Sequence, residues 1–378
     1  MKLAHVADLH LGFRQYQRQG PGGVNQRERD VAQAFTRAVD SIVAAAPDLI
    51  VVAGDVFHVP RPTPGVLLHA LREFRRLAQV APTLVVAGNH DTPRATENGY
   101  ILPLLETVGC RVIPLVPRRE RVGDCAIWCV PDTGVPQPVT YQPDTSARFN
   151  VALVHGEVRG LIPGAPDRPQ DIDPAVWANG WDYVALGHYH VQQQVAPKVW
   201  YAGATEYTSS NPWAEIAGPP KGWLLVDLAT GVVTPQPIPG VRRYVDLPPL
   251  SAAGEEPEAV LAAIAAQIGS VADASETIVR QVVTQCEQST RRALNQVGLR
   301  QLRRKAWQVQ LIFPKIDPTR GANVRVGINR RSVADQLTEH ATRRAEAAAL
   351  DVDLTVAAAH RYLATATEAL APSDPVAA

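Results

Sequence analysis

The chain has no apolar run approaching the roughly 20 residues a helix needs to cross a bilayer. Its opening, MKLAHVADLH, sets a His and an Asp where a signal peptide needs an unbroken apolar stretch. A cytoplasmic protein with no membrane segment is therefore the expectation. Cysteine is scarce: Cys110, Cys125, Cys129 and Cys286 form no C-x-x-C pair and are too few to staple a secreted domain, so buried free thiols are expected. Internal repeats and long low-complexity tracts are absent. With 46% hydrophobic and 20% charged residues the composition is that of an ordinary globular protein. At 378 residues it exceeds what one core usually organises, which implies a main domain with smaller units.

Net charge is also missing, with 37 basic and 37 acidic residues, but the balance is uneven along the chain. Residues 1–240 carry 20 Lys and Arg against 22 Asp and Glu, residues 241–331 carry 14 against 8, and residues 332–378 carry 3 against 7. The basic middle segment has the footprint of a polyanion-binding surface, although a solvated face gives the same excess.

From Lys2 to about Gly187, short apolar β-type runs alternate with helical stretches, the pattern of an α/β layered domain. Strands are expected at 3–7, 49–53, 84–87, 126–130, 151–154 and 183–186. One helix is expected where Val31, Phe35, Ala38 or Val39, and Ile42 line a face, ended by Pro47, and another over 66–77. Proline-rich stretches at 60–64 and 131–143 read as loops. A boundary near 235–240 leads into a small α+β unit with strands near 243, 277–284 and 307–313 and helices at 257–268 and 289–304. Two Ala-rich amphipathic helices, 332–350 and 354–370, close the chain. The expected domains are 1–240, a basic α+β cap at 241–318, and a linker with helical tail at 319–378.

Six of the ten histidines fall in five short polar motifs, four of which directly follow apolar strand-like runs. They are Asp8-Leu9-His10, Gly54-Asp55-Val56-Phe57-His58, Gly88-Asn89-His90-Asp91, His155-Gly156 and Gly187-His188-Tyr189-His190. Strands in a sheet end at a shared edge, so polar residues there can point into one cleft. Polar groups two apart in extended backbone face the same side, which makes Asp8 with His10, and His188 with His190, chelating pairs. Nitrogen and oxygen donors without thiolate suit manganese, iron, magnesium or zinc rather than copper or a structural zinc site. A lone His in a strand is more often a satisfied core residue, and His5 and His69 are assigned that role, with His340 and His360 left to the surface. Five such motifs would bury several unpaired polar groups unless metal ions, or one another, satisfied them.

This ordered set of motifs resembles the calcineurin-like metallophosphoesterase superfamily. The stretches Gly54-Asp55-Val56-Phe57-His58-Val59-Pro60-Arg61-Pro62 and Leu3-Ala4-His5-Val6-Ala7-Asp8-Leu9-His10-Leu11-Gly12 look like its SbcD-type double-strand-break repair nucleases. The resemblance is strong over residues 1 to about 228 and weaker beyond. It implies a layered β-sandwich flanked by helices, a small capping domain and a C-terminal helical tail. It also implies two divalent ions, manganese foremost with magnesium, iron or zinc as alternatives. Asp8, His10, Asp55 and His190 would hold one ion, and Asp55, Asn89, His155 and His188 the other. His90 matches the catalytic histidine, Asp91 would orient it, and His58 matches a further active-site histidine. The family often has Gly followed by Ser where this chain has Gly203-Ala204, so no hydroxyl reaches substrate from that position.

The implied activity is metal-dependent exonuclease or endonuclease cleavage of DNA. The implied partners are a second copy of the chain and an SbcC-type ABC ATPase, docked through the tail. Arg291, Arg292, Arg300, Arg303, Arg304 and Lys305 are the candidates for holding the DNA backbone; Arg300, Arg303 and Arg304 are expected to share a helical face. Two other functions fit the motifs. A small-molecule phosphodiesterase or phosphatase uses the same metal set. A DNA-tethering scaffold with an inert centre is the second, and the completeness of the ligand set argues against it. The protein-phosphatase branch carries Asp-Arg-Gly after its second motif, where this chain has Phe57-His58.

Overall fold

A computed structural model describes residues 1–92, 99–132, 141–159, 161, 172, 173, 177, 180–294, 296–315, 338, 341, 342 and 351–358. Two six-stranded sheets form the body. The first runs in the order β12 (Val232–Pro237), β11 (Gly222–Asp227), β1 (Lys2–Val6), β2 (Leu49–Ala53), β3 (Thr83–Val86), β4 (Arg111–Ile113). Its strands β1 to β4 are mutually parallel, while β11 and β12 are antiparallel additions. The second runs β5 (Arg118–Val122), β6 (Cys125–Val130), β7 (Phe149–His155), β8 (Tyr183–Gly187), β10 (Val199–Tyr201), β9 (Gln193–Ala196), with β6, β7, β8 and β10 parallel.

Strand alternation divides the apolar residues between two layers. Leu49, Val51 and Ala53 of β2 face the second sheet and meet Val151, Leu153 and Ala185 in one buried cluster; Ile50 and Val52 face the helices. On that outer side pack α1 (Gln26–Ala45) and α2 (Pro64–Val80). Helix α1 starts where the Asn25 side chain accepts from the amides of Arg27 and Glu28. It buries Val31, Ala34, Phe35, Ala38, Val39 and Ile42, and ends at Ala46 in left-handed backbone just before Pro47. Helix α2 takes Pro64 into its first turn and buries Val66, Ala70, Phe74 and Leu77. Phe35 meets Phe74 between the two helices at 5.5 Å. The four cysteines are buried free thiols. No helix among the described residues is long and apolar enough to cross a membrane.

Beyond the short α3 (Pro212–Glu215), a smaller parallel sheet collects β13 (Arg243–Asp246), β14 (Leu250–Ser251) and β16 (Gln308–Ile312) around β15 (Thr277–Thr284). Its own core packs Val260, Ile264 and Ile268 of α4 (Pro257–Gly269) against Val279, Val283 and Val309. The single helix expected over 289–304 is two, α5 (Gln288–Ala293) and α6 (Gln296–Arg303). Leu294 breaks it by taking extended backbone (φ −55°, ψ 118°) and joining this core beside Val260 and Leu302. Arg304 lies just past the end of α6, in a turn where its amide donates to the Gln301 carbonyl at 3.1 Å.

The contacts divide the chain into units 1–316 and 317–378. The helix expected over 332–350 lies almost wholly outside the described residues. Within 354–370, only 354–358 are described, and they belong to a helical segment, 352–358, begun by the Asp351 side chain accepting from the Leu354 amide at 2.9 Å.

Body and small sheet are joined by an ionic network whose centre is buried. Arg27 donates to Asp30 at 3.0 Å, to Glu206 at 3.2 Å and to the Tyr207 carbonyl at 2.8 Å. Arg242 holds Asp30 in a fork of 2.8 and 2.9 Å, reaches Glu276 at 3.0 Å, and lies over the Trp307 ring. The Arg18 guanidinium lies over the same ring and bonds the Trp307 carbonyl. Arg27 and Glu206 are fully buried, so removing one partner strands a charge the interior cannot solvate. Arg27→Ala should lower unfolding stability by about 3–5 kcal/mol, read as a fall in the denaturant midpoint. A change below about 1 kcal/mol would show that the network adds nothing to the fold.

Candidate metal centre

All five motifs lie at the carboxyl ends of parallel strands. Asp8 and His10 follow β1, the 54–58 motif follows β2, and the 88–91 motif follows β3; His155 ends β7, and Gly187 ends β8 ahead of His188 and His190. The first three belong to one sheet and the last two to the other, so the cluster forms where two sheet edges meet. Short backbone ties hold the edges together. The Asp8 amide donates to the Gly54 carbonyl at 3.1 Å, His155 Nδ1 bonds the Ala53 carbonyl at 2.7 Å, and the His188 amide donates to Asp8 at 2.9 Å.

These turns require unusual backbone. Asp8, His10, Asp55 and His188 all have positive φ, at 52°, 45°, 52° and 109°. Each costs of the order of 1–3 kcal/mol outside glycine, and such strain collects at functional sites. Glycine is needed where the turns crowd one another: a Cβ on Gly88 would stand 2.2 Å from Asp55 Oδ1, and one on Gly187 1.7 Å from the Ala53 carbonyl oxygen.

The seven proposed ligands converge. His10 Nε2 lies 3.6 Å from Asp55 Oδ2, and His155 Nε2 lies 3.7 Å from Asp55 Oδ1, so the two carboxylate oxygens face different imidazoles. On one side, His10 Nε2 and His190 Nε2 are 2.9 Å apart, and ligand atoms of Asp8, His10 and His190 fall within 4.8 Å of one another. On the other, Asn89 Oδ1 lies 3.1 Å from His155 Nε2 and 3.0 Å from His188 Nδ1. Burial, reinforced by neighbouring cationic and imidazole groups, holds His10 and His190 well below the usual histidine range, so both present lone pairs. Burial pushes the Asp8 carboxyl up to about 7, with Asp55 adding to it and His155 opposing. Burial and then Asp55 push Asp91 up to about 7 as well. At His155 burial disfavours the charged form, but Asp55 and Asp8 outweigh it and raise the value. Crowded carboxylates and neutral imidazoles in one buried cluster are the donor set of divalent cations, and the residues fit a pair of them.

His58 and His90 stack beside this set, with centroids 5.1 Å apart and planes at 26°. Asp91, expected to orient His90, has its carboxylate bound to backbone amides. The Asp91 carboxylate accepts from the amides of Val56, Phe57 and Gly88 at 2.9–3.1 Å, binding the second and third motif loops together. The His90 ring is held instead through Nδ1 on the His58 carbonyl at 2.8 Å, and its amide donates to Asp55 Oδ1 at 2.8 Å. His5 stands apart as a satisfied core residue, bonded to the Tyr183 hydroxyl at 2.9 Å and the Leu186 carbonyl at 3.1 Å, with burial pushing it down to about 3. Ala204 makes a backbone bridge with Ala7 and donates its amide to the His190 carbonyl at 3.1 Å.

Three further residues outside the five motifs border the cluster. Asp132 groups with His155 and His188 within 4.8 Å. It follows β6 as the other motifs follow their strands, but it sits in a proline-rich stretch. Behind His190, Glu215 and Lys221 form a buried pair that no local pattern announces. Away from the cluster, Arg291, Arg292, Arg300, Arg303, Arg304 and Lys305 are all exposed on and just after α5 and α6, with the Arg291 guanidinium over the Phe313 ring.

A sandwich of two mixed sheets with five histidine- and aspartate-bearing loops at one edge defines a metallophosphoesterase. The chain belongs to the calcineurin-like phosphoesterase family, whose model matches residues 1–192. It is similar to proteins named DNA double-strand break repair protein Mre11 from several archaea. The relative from Methanococcus maripaludis is 26% identical over 247 residues, covering 61% of this chain and 63% of that protein. The one from Methanopyrus kandleri is 30% identical over 212 residues, covering 50% and 45%. The one from Archaeoglobus fulgidus is 36% identical over 131 residues, covering 32% and 27%. Each match thus spans less than two thirds of the relative's length.

Proposed function

We propose that this protein is a two-metal nuclease that hydrolyses phosphodiester bonds of DNA in double-strand-break repair. The observation that carries the proposal is the Asp55 carboxylate standing between the His10 and His155 imidazoles, with Asp8 and His190 on one side and Asn89 and His188 on the other. Similarity to archaeal double-strand break repair proteins supports DNA as the substrate.

Asp8, His10, Asp55 and His190 would hold one ion, with Asp55, Asn89, His155 and His188 holding the other; manganese is the first candidate. When bound, such a pair polarises the phosphate and acidifies the attacking water. His90 has its Nδ1 engaged by the His58 carbonyl, which leaves Nε2 as the atom that carries a proton to the departing sugar oxygen. His58, stacked on His90, keeps that ring in plane. Asp91 holds the loops on which both stand.

The exposed cations of α5 and α6, with Arg304 and Lys305, would grip the DNA backbone without regard to sequence. A homodimer that docks on an SbcC-type ABC ATPase through the tail completes the proposal. The basis for both partners is the resemblance of the motifs to SbcD-type nucleases. Co-purification of the ATPase with the full chain, and its loss on removing residues 332–378, is the expected result; undiminished capture by the truncated chain would exclude the tail.

With manganese, linear DNA should be degraded, and a chelator should abolish the activity. His90→Ala should lower turnover by about 10²–10⁴-fold while manganese content stays at the wild-type level. DNA affinity should fall steeply with salt and drop on neutralising Arg300, Arg303 and Arg304. Hydrolysis of a small chromogenic diester with DNA left intact would favour the small-molecule phosphodiesterase, and near-normal cleavage by a fully loaded His90→Ala protein would remove His90 from the chemistry.

A further inference from the structure

Behind His190 lies a buried ion pair for which the proposed hydrolysis has no use. Glu215, the last residue of α3, is 6% exposed and Lys221 is 5% exposed. The Lys221 ammonium bonds Glu215 Oε2, donates to the His190 carbonyl at 2.7 Å, and stands 4.7 Å from the centre of the Tyr207 ring. The second carboxylate oxygen, Glu215 Oε1, is buried and has no hydrogen-bond partner among the described residues. The same is true of His190 Nδ1. These two atoms are 3.9 Å apart, while the opposite ring nitrogen, Nε2, points into the cluster 2.9 Å from His10 Nε2.

A buried polar atom left unpaired forfeits the hydrogen bonds that water would give it. Here an acceptor and a potential donor, both orphaned, face each other across a gap about 1 Å longer than a charge-assisted hydrogen bond. The neighbouring ammonium supplies the counter-charge that a buried carboxylate needs. A histidine that coordinates a metal through one nitrogen commonly donates its other N–H to a carboxylate, which fixes the tautomer and makes the ring a better ligand.

We propose that Glu215 is the positioning residue for His190: when Nε2 coordinates a divalent ion, the proton resides on Nδ1 and is donated to Glu215 Oε1. The inference rests on the metal-binding reading of the cluster. Lys221 sets the carboxylate in place from behind and holds the His190 backbone. α3 and the segment carrying Lys221 thereby act on the ion without touching it.

The test is calorimetric titration of Mn²⁺ into the metal-free full chain, with thermal unfolding of the same samples to verify folding. Wild type should bind two ions. Glu215→Gln should weaken one of them by about tenfold and leave the other within about twofold. Glu215→Leu combined with Lys221→Met, which leaves no buried charge unpaired, should weaken the same ion at least as much in a chain that still unfolds cooperatively. Two ions bound with wild-type affinities by both variants would overturn the role of Glu215, as would equal weakening of both sites, which would mark a general loosening of the fold. A wild-type chain that binds no manganese would instead overturn the metal reading itself.

Discussion

The buried carboxylate of Asp55 is the interaction on which the rest of the site depends. It sits past the end of β2 in left-handed backbone, accepts the His90 amide, and presents one oxygen toward His10 and the other toward His155. Asp8 and Asp91 share its neighbourhood, and both carboxyls are pushed up to about 7 by burial, with Asp55 adding to the effect. A protein interior does not tolerate this much like charge without compensation. Divalent cations between the two sheet edges would supply that compensation and turn a local electrostatic conflict into a binding site.

The architecture makes this crowding possible. Parallel strands bring their carboxyl ends to one edge, and stacking two such sheets doubles the number of loops that can converge. Gly88 and Gly187 permit loop spacings that any side chain would block. Asp91, by gathering three amides from two loops, ties the second and third motifs into one unit. The network of Arg27, Asp30, Glu206 and Arg242 extends this rigidity outward, joining the start of α1, the segment after β10 and the smaller sheet. Glu206 lies two residues after Ala204, whose amide is bonded to the His190 carbonyl, so the junction and the candidate metal centre share one strand of backbone.

Much of this was legible in the chain because burial on both faces writes continuous apolar runs. Leu49–Ala53 and Val151–Val154 read as strands for that reason, and polar residues directly after them stood out. The edge strands were not legible: β5 reads RRERV and β9 reads QQVA, since their outer faces meet solvent. Nor could periodicity tell that β1 to β3 and β7 to β8 belong to different sheets, which the resemblance alone implied. The break at Leu294 was hidden because its leucine suits a helix as well as it suits the core it turns into. Arg27 and Glu206 meet across 179 residues, and Glu215, on a four-residue helix, comes to lie 3.9 Å from His190. Pairings of that kind are set by tertiary packing and leave no local signature.

The most direct measurement is anomalous diffraction at the manganese edge from crystals grown with Mn²⁺. Two peaks about 3.5–4 Å apart are expected, one beside Asp8, His10 and His190, the other beside Asn89, His155 and His188, with Asp55 touching both. A lone peak, or density away from Asp55, would contradict the account.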